Sequence, residues 1–195
     1  MASTARREAR EVSNATETGG WRVPVGGYRR SVTQKRLPIR LNPWYASSVE
    51  IYLDTCSLQR PLDNKTELRI LLESEAVLGL LALCESGTVE LLSSEALIFE
   101  VERNPHLTRQ EYALEILARA KAFVVLEPPV EKRARELSAL GLKPLDALHL
   151  ASAEAGQADY LCTCDDRFLK RARTIKRLGT KVVSPLELIG EIERW

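Results

Sequence analysis

The chain has 195 residues, 45% of them hydrophobic, which is enough for one domain that buries its own core without staples. Its four cysteines (Cys56, Cys84, Cys162, Cys164) show neither C-x-x-C pairs nor zinc-finger histidine spacing, and read as reduced thiols of a cytoplasmic protein. The most apolar run, from Ala76 to Cys84, is far short of the ~20 residues that cross a bilayer, and the amino terminus lacks the apolar stretch of a secretory signal. No membrane span is expected.

The net charge of +1 conceals an asymmetry. Residues 1–47 carry nine Lys/Arg against three Asp/Glu, whereas residues 48–195 carry nineteen against twenty-four. The first segment is rich in Ser, Thr, Gly and Arg, shows no helical or strand period, and reads as a basic, disordered extension. A solvated tail, an arm touching phosphates, and translation that begins only at Val49 are the three readings of it. The folded domain is expected over residues 48–195.

From Val49 the sequence alternates between strand and helix signals. Val49–Asp54 predicts a strand, and Thr66–Ser86 a long helix apolar on most faces and closed by Gly87. Thr88–Leu92 predicts a second strand. Ser94 is placed to cap a helix to about Arg103, and Thr108 to cap another from about Arg109 to Lys121. Phe123–Leu126 is a third strand, followed by a helix over Val130–Leu140 and another over Pro144–Ala155, with Pro in its first turn and Gly156 beyond its end. Asp159–Thr163 is a fourth strand, Asp165 to about Leu178 a basic helix, Lys181–Ser184 a fifth strand, and Pro185–Glu193 a final helix. Strands separated by helices specify an α/β fold: a central parallel sheet of about five strands with helices on both faces, a three-layer α/β/α sandwich.

In such a sheet ligands bind beyond the carboxyl ends of the strands. Asp54 closes "YLDTCS" and Asp165 follows the strand "DYLCT", so two strand ends present carboxylates; each can equally be a turn former or a helix N-cap. Asp146 stands in the first turn of the apolar helix "KPLDALHLASAEAG", where the free N–H groups favour an anion, and Glu100 is surrounded by Ala96, Leu97, Phe99 and Val101. Converging carboxylates repel by about 4 kcal/mol at ~4 Å and an effective dielectric near 20. A cluster of them raises its own pKa values or recruits a cation, and oxygen ligands without His or Cys select Mg²⁺ or Mn²⁺.

The succession "YLDTCS", "SSEALIFEVER", "KPLDALHLASA" and "YLCTCDDRF" resembles the PIN domain, the nuclease fold of the VapC-type toxins in bacterial toxin–antitoxin pairs, from residue 49 to roughly 188. The resemblance implies a Mg²⁺- or Mn²⁺-dependent endoribonuclease with Asp54, Glu100, Asp146 and Asp165 at the acidic positions. Of these, Asp54, Asp146 and Asp165 would hold the metal. Thr163 matches the threonine before the last acid; Asp166 is a further acid or, as favoured here, a solvated neighbour. An RNA substrate, a cognate antitoxin and a homodimer are the implied partners. Cys56 stands where the family often has a small polar residue, which weakens a hydrogen-bonding role there, with Ser57 as its substitute.

Other residues have competing readings. His149, on the face of Asp146, reads first as a hydrogen-bonded core residue and second as a catalytic one. The run Arg167, Lys170, Arg171, Arg173, Lys176, Arg177, Lys181 holds RNA phosphates or is a solvated helix. Cys162 and Cys164 read as core thiols, and Leu80–Leu83 as core first and dimer surface second. Against the nuclease stand two alternatives: a PIN-like module that binds RNA or protein and cleaves little, and an aspartyl-phosphate enzyme, which would carry Asp-x-Asp where this chain has Asp54-Thr55-Cys56.

Overall fold

The computed structural model describes residues 48–194, so the basic extension lies outside the described residues. Five parallel strands form one sheet: β1 (Val49–Leu53), β2 (Val89–Ser94), β3 (Ala122–Val124), β4 (Tyr160–Cys162) and β5 (Lys181–Val183), in the order β3-β2-β1-β4-β5. Successive strand residues point to opposite faces, and Ile51, Tyr52 and Leu53 are all fully buried, so helices must cover both sides of β1. The sequence expectation of an α/β/α sandwich agrees with this architecture.

Eight α-helices occur among the described residues: α1 (Thr55–Leu58), α2 (Leu68–Glu85), α3 (Glu95–Glu102), α4 (Leu107–Leu117), α5 (Pro128–Ala139), α6 (Pro144–Ala155), α7 (Asp166–Ala172) and α8 (Pro185–Ile192). A 3₁₀ turn, Arg60–Leu62, follows α1. Helix α2 packs on α8, while α5 packs on α6 and α6 on α3. No helix among the described residues is long and apolar enough to cross a membrane.

The chain winds from β1 out to β2 and β3, then returns to lay β4 on the other side of β1. Strand order therefore reverses at β1. Asp54 N–H donates to the carbonyl of Cys162 at 3.1 Å, which locks the end of β1 to the end of β4 and opens the crevice there.

Three local expectations need correction. The basic helix ends at Ala172 instead of Leu178, because the Thr174 hydroxyl donates to the Arg171 carbonyl at 2.8 Å and Arg177 turns to a positive φ of 63°. Thr108 is not a cap: the Asn104 side chain accepts the His106 N–H at 3.0 Å, and the helix starts directly after His106. The long helix α2 buries Glu73, Ser74, Ala76, Val77 and Leu80, while Leu68, Leu71, Leu72 and Leu78 are exposed. A polar network takes the buried face at its first turns, where Glu73 is paired with Arg60 at 3.0 Å and Arg69 at 2.7 Å. Leu80 is a core residue, and Leu81 and Leu83 pack partly buried against the core.

Candidate active site

The carboxyl end of β1 delivers Asp54 into the crevice, and the side chain also caps α1 by accepting Ser57 N–H at 2.8 Å. Both sequence readings of this residue, strand-end acid and N-cap, describe the same carboxylate. Asp54 is nearly inaccessible, at 6% exposure. Burial pushes its carboxyl up, opposed by hydrogen bonding from Thr163, Cys56 and the Ser57 N–H; the result is a pKa above the ordinary value.

Cys56 is where the expectation from sequence is reversed. Its thiol donates toward both oxygens of Asp54, at 3.1 and 3.2 Å, and accepts the Cys164 N–H at 3.2 Å. The Ser57 hydroxyl turns away and donates to the Cys162 carbonyl at 3.1 Å, so Ser57 does not substitute through its side chain. A two-residue step on α1 leads back over the cap, which is why position 56 meets the acid. Cys162 and Cys164 are buried free thiols.

The end of β4 supplies the second acid. Asp165 caps α7, accepting Arg167 N–H at 2.7 Å and Phe168 N–H at 3.2 Å, and its other oxygen lies 3.4 Å from the Lys143 ammonium. Burial acts to raise its carboxyl, but these N–H groups and Lys143 outweigh it and hold it below the usual range. Thr163 lies between the two strand-end acids: its oxygen accepts Asp165 N–H at 3.0 Å, and its hydroxyl helps to offset the burial of Asp54.

Asp146, in the first turn of α6, accepts no hydrogen bond from the described residues. Burial raises its carboxyl; Lys143 opposes the rise, while the negative charges of Asp165 and Asp54 reinforce it. Asp146 therefore senses the charges of both strand-end acids. Among the described residues no three His, Cys, Asp or Glu side chains are drawn together tightly enough to hold a metal as they stand.

Glu100, on α3, is oriented from two sides. Its Oε2 accepts the Thr55 hydroxyl and the His149 Nε2–H, the latter at 2.9 Å. Burial raises this carboxyl, but His149 and Thr55 more than compensate, and the group lies below its ordinary value. Glu100 also lines an open groove of about 510 Å³ with Thr55, Cys56, Phe99, Arg103 and Leu145. The Arg103 guanidinium lies over the Phe99 ring, 4.0 Å from its centroid.

Asp166 points elsewhere. Arg69 of α2 grips it in a two-bond fork, both distances 2.7 Å, and the same guanidinium reaches Glu73. Arg167 and Lys170 are exposed and form no ion pair with the described residues, whereas Arg173 is bound to Glu187 at 2.6 Å and Arg171 lies against Gly141. Gly141 has a φ of +94°, a conformation that, together with the arginine packed on it, excludes a side chain.

Sequence reasoning did not anticipate Lys143 beside Asp165, Arg69 on Asp166, or the partnership of Tyr52 and Ser94 with His149. A tyrosine inside an apolar strand is the one signal available beforehand, since its buried hydroxyl must find a partner.

Comparison with known proteins places these features in context. The family profile described as PIN domain matches residues 51–174. Among solved structures, VapBC2 from Rickettsia felis bound to a DNA fragment from its promoter is similar at 16% identity and a TM-score of 0.48, covering 70% of this chain and 98% of that one. DNA-bound VapBC from Salmonella typhimurium is similar at 15% identity and a TM-score of 0.47, over 70% and 98% of the two chains. PAE2754 from Pyrobaculum aerophilum aligns at 19% identity and a TM-score of 0.44, over 75% and 98%. No curated protein sequence matches the chain.

Proposed function

The chain belongs to the PIN domain family, and from that premise we propose that it is a Mg²⁺- or Mn²⁺-dependent endoribonuclease whose ion is held by Asp54, Asp146 and Asp165. What carries this reading is the placement of the acids: Asp54 and Asp165 follow the carboxyl ends of the paired strands β1 and β4, and Asp146 stands in the first turn of α6, its carboxyl raised first by burial and further by the charges of Asp165 and Asp54. Oxygen donors that repel one another suit a hard divalent cation, whose charge removes the cost of keeping them ionised together. When bound, such an ion supplies charge stabilisation at a phosphoryl oxygen and a more acidic water.

The protein's own groups have separate tasks. Asp54 is kept in one orientation by the Ser57 N–H, the Cys56 thiol and Thr163. Oε2 of Glu100 is committed to Thr55 and His149, which leaves Oε1 to accept a proton from the attacking water. With water as nucleophile the products carry 5′-phosphate and 3′-hydroxyl ends. Arg167 and Lys170, exposed at the edge of the crevice, bind phosphates of the incoming strand, joined more weakly by Arg171 and Arg173. The groove beside Glu100, with Arg103 over Phe99, receives an unpaired base.

Incubation with single-stranded RNA and Mn²⁺, with and without EDTA, tests the reading. Cleavage should need the ion and fall at least 100-fold in Asp146→Asn; equal cutting in EDTA sinks it. A second reading, a PIN-like module that binds RNA or protein and cleaves little, draws on the acids not being gathered at one point. Calorimetry distinguishes the two, since the module takes up no divalent ion at Asp54. The likeness of the four motifs to VapC-type toxins extends the proposal to a cytoplasmic toxin blocked by an antitoxin. The exposed Leu68, Leu71, Leu72 and Leu78 of α2 offer an apolar surface for the antitoxin or for a second copy of the chain.

A further inference from the structure

Behind Glu100 runs a buried chain of polar side chains that the acidic cluster does not explain. The Ser94 and Tyr52 hydroxyl oxygens are 2.7 Å apart, the Tyr52 hydroxyl is 2.8 Å from His149 Nδ1, and His149 Nε2 is 2.9 Å from Glu100 Oε2. Ser94 and Tyr52 are fully buried and His149 is 3% exposed. Water does not reach these groups, so each must satisfy its hydrogens and lone pairs within the chain.

Counting donors fixes the direction. Glu100 Oε2 already accepts the Thr55 hydroxyl and a carboxylate oxygen only accepts, so His149 Nε2 carries a hydrogen. Ser94 Oγ accepts the Leu97 N–H at 3.2 Å, its N-cap bond to α3, and its own hydrogen reaches the Tyr52 oxygen, so the Tyr52 O–H is left to donate to His149 Nδ1, which as the acceptor carries no hydrogen. Every member is satisfied, and each bond donates toward Glu100.

The geometry points to His149 as a positioning residue for the catalytic carboxylate: an Nε2–H donor whose tautomer and ring orientation are set by Tyr52 and Ser94, and which aims Glu100 at the crevice. The inference rests on the nuclease reading for its consequence but not for its geometry. Three elements are tied by the chain. Tyr52 comes from near the end of β1, Ser94 caps α3 and Glu100 lies on it, and His149 lies one helical turn beyond Asp146 on α6. The distance from the end of β1 to α3 and α6 is thereby defined through hydrogen bonds as well as apolar packing. A carboxylate on a partly exposed helix would otherwise sample several rotamers, and a general base that wanders loses its aim.

Two measurements test it together. The chain contains only two histidines, and His106 is exposed, so ¹⁵N-histidine labelling with a His106→Gln control assigns His149 directly. The expected result at neutral pH is one tautomer, protonated at Nε2, with Nδ1 shifted by an accepted hydrogen bond that Tyr52→Phe abolishes. An Nδ1–H tautomer, an imidazolium, or spectra unchanged by Tyr52→Phe overturn the assignment, whether or not the protein cuts RNA. In kinetics, His149→Ala should lower kcat about 10- to 100-fold with KM held within about twofold, and His149→Gln, which can place an amide N–H near the same point, should recover most of the loss. Tyr52→Phe removes one oxygen without changing ring volume and should cost kcat several-fold with native circular dichroism. Unchanged kcat in His149→Ala, or no recovery in His149→Gln, overturns the positioning role. An absence of RNA cleavage in the unaltered protein refutes the nuclease reading, and the spectra still decide the relay.

Discussion

The Cys56 thiol sits 3.1 and 3.2 Å from the two oxygens of Asp54 while taking the Cys164 N–H at 3.2 Å, so one sulfur bridges the ends of β1 and β4. A thiol is a weak donor, and it steadies the carboxylate without neutralising much of its charge. Cys56→Ser should keep the bridge with a stronger donor, whereas Cys56→Ala removes it and leaves burial less opposed at Asp54. The expected outcome is a three- to tenfold rise in the Mn²⁺ concentration for half-maximal cleavage in Cys56→Ala, and little change in Cys56→Ser, of the order expected for losing one outer hydrogen bond. A Mn²⁺ titration of the cleavage rate checks it.

Asp146→Asn should separate stability from activity. The native carboxyl has a raised pKa, so the folded protein binds its proton more tightly than the unfolded chain does. Its contribution to stability is fully present below the unfolded pKa, near 4, and is lost as pH rises through the raised folded value. At pH 7 without metal, the substitution should therefore raise Tm by roughly 1 to 3 °C. The difference should shrink toward pH 4, and melting curves at several pH values measure it. Added Mg²⁺ should stabilise the unaltered protein and not the variant, because a ligand that binds only the native state raises its stability by mass action.

Asp165 and Asp166 are neighbours with different surroundings. Asp166 is occupied by the Arg69 fork, and Asp165 faces the crevice beside Lys143. Asp165→Asn is expected to lower cleavage at least 100-fold, while Asp166→Asn and Arg69→Ala stay within about threefold. Rates measured at saturating Mn²⁺ distinguish them.

Phosphate contacts reveal themselves in salt dependence. Each contact to a single strand contributes about 0.7 to the slope of log affinity against log salt. Arg167→Ala with Lys170→Ala should reduce that slope by roughly 1.4 in the catalytically inactive Asp146→Asn background. Arg173→Ala should change it less, since Glu187 already occupies that guanidinium. Filter binding of an RNA oligonucleotide across a salt series gives the slopes.

The alternation of five strands with helices is legible in the chain alone, because buried strands and amphipathic helices leave different apolar periods and because Ser94, Gly87, Pro144 and Gly156 punctuate their ends. The chain also singles out Asp54, Asp146 and Asp165, since a carboxylate in an apolar setting is conspicuous on its own element. What those carboxylates meet is settled by packing between distant elements. Whether Asp166 faces the crevice or Arg69, and whether His149 is idle in the core or tied through Tyr52 to Glu100, depend on contacts between residues 42 to 97 positions apart; Cys56 and Ser57 sit two and three residues from Asp54, and their distant partners, the Cys164 N–H and the Cys162 carbonyl, sort them. Local periodicity carries no record of such pairs: a hydrogen bond is fixed within a few tenths of an ångström by how strands register and helices pack.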